Sequence, residues 1–460
     1  MSTSATPTVG TADGGQSDAP AGNPRGRVVV ASLIGTSIEF YDFYIYATAA
    51  SLVFPALFFP NAEDPTTQLL SSFAVFGVAF VARPVGSVLF GHFGDRVGRK
   101  ATLVASLLTM GIATILIGLI PAAATPGWAV AAPAVLVLAR FCQGLGLGGE
   151  WSGAALLATE NAPQGKRAIY GTFPQLGAPI GFILANTVFI ALSTSLTPEQ
   201  FADWGWRIPF LASAILVIVG LWVRLSLLET PAFRKVIEAE AVTRVPVARV
   251  FRTSWRQIVS GTFIMLATYA LFYLMTTFTL NYGVALTEPT DGSPAGLGYE
   301  KIDFLWMLIV GVVFFGIFTL VSGPMAERFG RRKHLIWVTV AIVVFGGLFV
   351  PLFAAGQIGV QTLLIVGFTL MGLTFGPMAA VLPELFPANV RYTGSGISYN
   401  LSSVLGAAVA PFIAVWLWAQ ADGSPVLVGV YLSAMAVITL VALLLTRETR
   451  DVEYDDNVAA

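Results

Sequence analysis

A ten-residue segment, GHFGDRVGRK at 91–100, returns in the second half of the chain as GPMAERFGRRK at 323–333. Both copies fit G-x-x-x-[D/E]-R-x-G-R, and they stand 323 − 91 = 232 residues apart. A second pattern echoes as well: Glu160-x-x-Pro163-x-x-x-Arg167 is answered by Glu384-x-x-Pro387-x-x-x-Arg391, at 384 − 160 = 224 residues. Two independent patterns repeating at nearly one offset imply an internal duplication, so the chain is expected to fold as two similar halves.

Each copy lies between long apolar runs, which suggests a tight, glycine-bent connection at a membrane face. Arg96, Arg99 and Lys100 cannot enter hydrocarbon and mark a cytoplasmic edge. A topological anchor would account for the bases alone. Repetition of the acid, as Asp95 and Glu327 between Gly91 and Gly98 and their counterparts, favours a latch that closes a gate. Composition agrees with the membrane reading: 56% of residues are hydrophobic and 11% charged, where a soluble domain carries about 25% charged. With a net charge of −1 and its bases gathered in loops, the chain presents no nucleic-acid face. The single cysteine, Cys142, sits in an apolar run, and His92 and His334 are far apart, so neither a metal site nor a catalytic set is evident.

Residues 1–24 are poor in apolar bulk and read as a disordered cytoplasmic tail. Arg25 and Arg27 then precede an apolar run that is too long for a signal peptide and carries Glu39 and Asp42. Runs able to cross a core of about 30 Å fall near 28–54, 68–91, 101–121, 131–157, 168–192, 207–228, 256–283, 303–325, 334–355, 361–383, 392–419 and 425–446. The fold expected is an all-α membrane protein of twelve transmembrane helices in two pseudo-symmetric six-helix bundles. The bundles are 25–228 and 256–446, with a partly helical cytoplasmic linker at 229–255 and a tail at 447–460. Lys and Arg collect in alternate connections, which places both termini in the cytoplasm.

Ionised groups at a helix centre cost about 2.5–3.5 kcal/mol even on lenient scales, so they usually face a partner or a wet cavity. The intramembrane charges are Glu39, Asp42, Arg83, Arg140 and Glu150. Glu39 and Asp42 share a helical face. Asp42 lies roughly 20 Å from the cytoplasmic start of its span and Arg140 roughly 13 Å from the outer start of its own, similar depths at which the two can face each other. Such a pair would hold the aspartate ionised until a proton or substrate competes, or would be a static packing element. Arg83 invites an anionic ligand, or pairs with an acid such as Glu39. Glu150 is expected to serve the cytoplasmic charge cluster. Gly144, Gly146, Gly148, Gly149 and Gly153 suit close helix packing. Gln175, Asn186, Tyr269, Tyr273, Asn281, Tyr399 and Asn400 are compatible with a cavity lining, or with helix-to-helix hydrogen bonds.

The duplicated loop with about twelve spans resembles the major facilitator superfamily. IEFYDFYIYATAA at 38–50, RPVGSVLFGHFGDRVGRK at 83–100, QGLGLGGEWSGAALLATENAP at 143–163, WGWRIPF at 204–210 and PELFPANVRYTG at 383–394 are similar to its metabolite:proton symporters, such as shikimate, alpha-ketoglutarate and proline/betaine permeases. The resemblance spans about Val28 to Arg450. It implies two bundles that rock about a central cavity, with Asp42 and Arg140 at the positions of a proton-carrying aspartate and its restraining arginine. Asp95 and Arg99 match the latch acid and base; Glu160, Arg167, Glu384 and Arg391 match a cytoplasmic charge relay. Arg83 matches an arginine suited to organic acids. The second latch departs from the pattern with Glu327 and Ala326, beside Arg331.

The expectation is a transporter rather than an enzyme: a proton-coupled symporter of a small organic acid or zwitterion in the cell membrane, without cofactor and monomeric. An exporter of the same fold, or a non-transporting sensor, are the alternatives.

Overall fold

The computed structural model describes residues 25–61, 65–226, 246–288 and 294–452. The expected tail at 1–24, residues 453–460 of the expected tail at 447–460, and most of the linker lie outside the described residues; Pro246–Thr253 forms a short helix. Among the described residues there is no strand. Twelve spans follow in order. In the first half they are α1 (Arg25–Leu52), α2 (Pro65–Arg96), α3 (Arg99–Leu119), α4 (Ala131–Glu160), α5 (Arg167–Ser195) and α6 (Arg207–Leu225). In the second they are α7 (Trp255–Val284), α8 (Lys301–Phe329), α9 (Arg331–Gly347), α10 (Gly356–Glu384), α11 (Ala388–Gln420) and α12 (Val426–Leu445). Eleven are long and apolar enough to cross a membrane; α9, at 17 residues, is short and continues as Phe349–Ala354. With lipid as solvent the outer faces stay apolar: Ile215, Ile218 and Trp222 follow one side of α6 and are 66, 68 and 75% exposed.

The duplication is visible in the packing. A Cβ on Gly148 of α4 would strike the Arg83 carbonyl and lie 2.7 Å from the Ser87 amide nitrogen of α2. In the second half a Cβ on Gly372 of α10 would lie 2.6 Å from the Phe315 carbonyl and 2.8 Å from the Thr319 nitrogen of α8. The glycines are 372 − 148 = 224 apart and the carbonyls 315 − 83 = 232 apart, the offsets of the sequence repeats. Two backbones approach at hydrogen-atom distance in both halves, and only glycine permits it.

The repeated loop differs from its expected form. Gly91 does not bend the chain: α2 remains helical through Arg96, and the turn is made at Gly98, φ +127°. Likewise α8 runs through Gly323 to Phe329, and Gly330 turns at φ +93°. The first glycine of each copy serves a contact between halves instead. A Cβ on Gly91 would lie 2.8 Å from the Thr393 Cα, and one on Gly323 would lie 2.9 Å from the Ile169 Cα.

Candidate functional site

Asp42 is fully buried and does not form an ion pair with Arg140, contrary to the simplest expectation. Its Oδ2 accepts from Thr114 Oγ1 of α3 at 2.9 Å and its Oδ1 from Ser213 Oγ of α6 at 2.6 Å. Arg140 instead donates to Gln143 Oε1, one turn along α4, at 2.5 Å, and Gln143 Nε2 donates to Thr114 Oγ1 at 2.8 Å. The matched depths read from the sequence do bring the acid and the base into one network, but an amide and a hydroxyl stand between them. The guanidinium lies on aromatic faces, 4.0 Å from the Tyr46 ring centre and 4.8 Å from that of Phe76.

Glu39 is equally buried, and neither carboxylate oxygen has a hydrogen-bond partner among the described residues. Arg83 and Arg224 are the cations whose fields reach it. No ion pair joins Glu39 to Arg83. Arg83 projects into the central cavity between the halves, which Tyr44, Tyr269, Phe272, Tyr273 and Tyr399 also line. Its guanidinium carbon lies 5.7 Å from the Tyr399 ring centre. The space is about 20 Å³, room for a water molecule rather than a metabolite. A larger void of about 370 Å³ lies away from these charges, at the basic end, beside Arg167, Glu327 and Arg331.

Gln175 and Asn400 do not line the cavity. Gln175 accepts from Trp151 Nε1 at 2.8 Å and donates to the Phe375 carbonyl of α10 at 2.7 Å. Asn400 of α11 donates to the Gly148 carbonyl of α4 at 3.1 Å. The Trp151 and Tyr399 rings stack at 3.9 Å, tilted by 5°. All but the Trp151–Gln175 bond cross between the halves, and they close the cavity toward the basic end. On the opposite side the closure is by rings: Tyr44 meets Phe272 at 6.2 Å and Phe80 meets Tyr273 at 5.9 Å.

Farther along, the repeated acids act as helix caps across the halves. Asp95 accepts from the Tyr392 and Thr393 amides at 3.2 and 2.9 Å, from Thr393 Oγ1 at 2.7 Å and from Arg99 at 3.1 Å. Those amides belong to the first turn that opens at Arg391, where the donors lack intrahelical partners. Glu327 does the same for the Ala168 amide, at 2.7 Å, in the first turn of α5. Ala168 and Tyr392 are 392 − 168 = 224 apart, so the two caps are the repeat seen in three dimensions. Behind each cap stands a buried relay. Glu160 lies 3.6 Å from Arg99 and 3.8 Å from Arg391; Arg331 bonds Glu327 at 2.7 Å and Glu384 at 3.3 Å. Arg96 is exposed at the helix end, and Arg167 donates to the Val452 carbonyl.

Glu150 does not join these caps and relays, contrary to its expected place in a cytoplasmic charge cluster. It is 1% exposed inside the first half, paired with Arg224 of α6 and accepting from Ser106 of α3 at 3.0 Å. Arg224 was not foreseen: a cation at the end of an apolar run looks like any topological anchor. Thr114, Gln143 and Ser213 were also passed over, since isolated hydroxyls and amides are ordinary in membrane helices.

The comparisons agree with this architecture. The chain belongs to the sugar (and other) transporter family, which it matches over residues 28–456. It is 58% identical over 93% of its length to the inner membrane metabolite transport protein YhjE of Escherichia coli K12, covering 95% of that protein. It is 36% identical over 92% of its length to the shikimate transporter of the same organism, again covering 95%. Its fold matches a solved structure of the major facilitator superfamily proton:xylose symporter XylE, with a TM-score of 0.76 at 16% identity over 92% of this chain and 96% of that one. The protein is therefore a multi-pass membrane transporter with the major facilitator fold, in a family of transporters and not of enzymes.

Proposed function

We propose that this transporter carries a small organic acid or zwitterion together with protons, by alternating access, and that the gradient alone drives it without a cofactor. Asp42 is the proton carrier, with Arg140 restraining it and Glu39 as a second intramembrane acid. Arg83 receives the substrate's carboxylate, with Tyr269 and Tyr273 beside it. The observation that carries the reading is Arg83 lining the inter-half cavity, with Glu39, Asp42 and Arg140 buried in the same half at a depth where a bilayer tolerates ions only near a partner or water. The shikimate transporter supports a carboxylate cargo, and the name of XylE supports proton symport.

Alternating access follows from the closed centre. A space of about 20 Å³ admits no metabolite, so the halves must part to load it. Residues 25–228 and 256–446 move as the two bodies, joined by the linker at 229–255. Asp95, Arg99, Glu160 and Arg391, with Glu327, Arg331, Glu384 and Arg167, hold the cytoplasmic gate. The bias of Lys and Arg toward alternate connections supports both termini lying in the cytoplasm. The working unit is the monomer, since one chain supplies both halves of the cavity, and the location is the cytoplasmic membrane, as the YhjE name suggests.

The test is uptake of labelled shikimate, alpha-ketoglutarate, proline and betaine into proteoliposomes with an imposed pH gradient. One of them is expected to enter faster with an acidic exterior, and Asp42→Asn is expected to abolish that dependence while leaving exchange. Gradient-dependent uptake by Asp42→Asn would remove Asp42 from the role.

A further inference from the structure

We infer that Thr114 and Gln143 form the link through which Arg140 bears on the proton held by Asp42; the inference rests on Asp42 being the proton carrier. Thr114 Oγ1 has three partners and a single hydrogen. Gln143 Nε2 donates to it at 2.8 Å, and two acceptors stand within reach of its own hydrogen: Asp42 Oδ2 at 2.9 Å and the Met110 carbonyl at 3.0 Å. Arg140 holds Gln143 Oε1, so the Gln143 amide group is fixed with its N–H toward Thr114.

These constraints leave the hydroxyl two arrangements. With Asp42 ionised, the Thr114 hydrogen points to Oδ2 and the Met110 carbonyl keeps only its helical bond. With Asp42 protonated on Oδ2, the carboxyl O–H donates to the remaining lone pair of Thr114 Oγ1, and the Thr114 hydrogen turns to Met110. The same three heavy atoms serve both states by one hydroxyl rotation, with the proton staying on Asp42 throughout. Arg140 takes no proton. It supplies the polarity of the chain, and the amide carries that polarity 2.8 Å further toward the acid.

The surroundings of Asp42 support a role for this link beyond packing. From α6 only Ser213 reaches it, and on its own helix Glu39, Tyr41, Tyr44 and Tyr46 are the titratable groups within one turn. From α2 and α5 no titratable group among the described residues lies within hydrogen-bonding distance of it. Arg140 has Nε and one terminal nitrogen without hydrogen-bond partners, so Gln143 is its one described acceptor. Thr114 and Gln143 are positioning residues, acting on the proton through Asp42.

Infrared titration of reconstituted protein tests this without a substrate. The protonated-carboxyl C=O band lost in Asp42→Asn assigns the Asp42 signal, and its midpoint is read in Thr114→Val and Thr114→Ser. A hydrogen bond donated to an ionised carboxylate is stronger than one between neutral groups. The nearly isosteric Thr114→Val therefore disfavours the ionised form and is expected to raise the midpoint by about one to two pH units. Thr114→Ser is expected to restore it, and Gln143→Leu, which removes the donor to Thr114 Oγ1, to raise it as well. An unchanged midpoint in Thr114→Val overturns the link. Absence of any Asp42-dependent band between pH 4 and 10, roughly the range in which shifted carboxyls titrate, overturns instead the reading of Asp42 as carrier.

Discussion

Asp95, near the end of α2, caps a helix of the other half: its carboxylate stands 3.2 and 2.9 Å from the amides of Tyr392 and Thr393. Its pseudo-equivalent Glu327 caps the Ala168 amide alone. Hydrogen bonds to a charged group are worth about 1.5–3 kcal/mol each. Asp95→Ala is therefore expected to cost the contact between the halves about 3 kcal/mol or more, and Glu327→Ala roughly half of that. Spin-label distances between the two halves beside these caps, in detergent, check the order. A larger opening in Glu327→Ala would show that the relay behind the cap, and not the cap, holds the halves together.

Glu150 and Arg224 are both buried and face each other, so removing one partner strands a charge in a low-dielectric interior. Glu150→Gln or Arg224→Met alone is expected to destabilise the first half by about 3–5 kcal/mol. The double variant Glu150→Leu with Arg224→Met is expected to recover most of that loss. Thermal unfolding of purified protein reads all three; a double variant no better than the singles would contradict the pairing.

Gly148 and Gly372 face carbonyls at contact distance, with no flexible side chain to yield. Gly148→Ala and Gly372→Ala are both expected to lower the yield of monodisperse protein and the thermal midpoint, by about 1–3 kcal/mol of overpacking. Gly347, with nothing within 4 Å, gives the control: Gly347→Ala is expected to behave as the parent protein.

Arg83 is the one cation lining the central cavity among the described residues. Arg83→Lys keeps its charge and loses the planar fork that matches a carboxylate. Half-saturation for an anionic substrate is expected to rise at least about tenfold, equivalent to one lost charge-assisted hydrogen bond. Uptake assays at fixed pH gradient measure it, and an unchanged value would place the carboxylate elsewhere.

The twelve spans and the doubling were legible because they rest on signals summed over many residues: long apolar runs, and two motifs repeated at offsets of 232 and 224. The caps were legible in part, since the acids were repeated with their glycines, though nothing local says that Asp95 ends on Tyr392, 297 positions away. Glu150 was misplaced because its partner Arg224 lies 74 residues on, at a span edge where cations are common. The break between Asp42 and Arg140 was hidden for a related reason. Helical rise fixes depth but not azimuth, and Gln143 and Thr114 occupy the line between two groups that depth alone brings level. Gln175 and Asn400 could not be told from cavity residues, because an amide within an apolar span has the same sequence signature whether it meets ligand or backbone.

At the place where the first half carries Arg83 against Gly148, the second half carries Phe315 against Gly372. Doubling thus supplied two interchangeable frames and left only one of them electrically armed. On the proposed reading, an anionic cargo in the chamber is gripped by its ionic end from one wall and merely flanked by rings on the other. Cargo would then ride with the first bundle while the second swings past it.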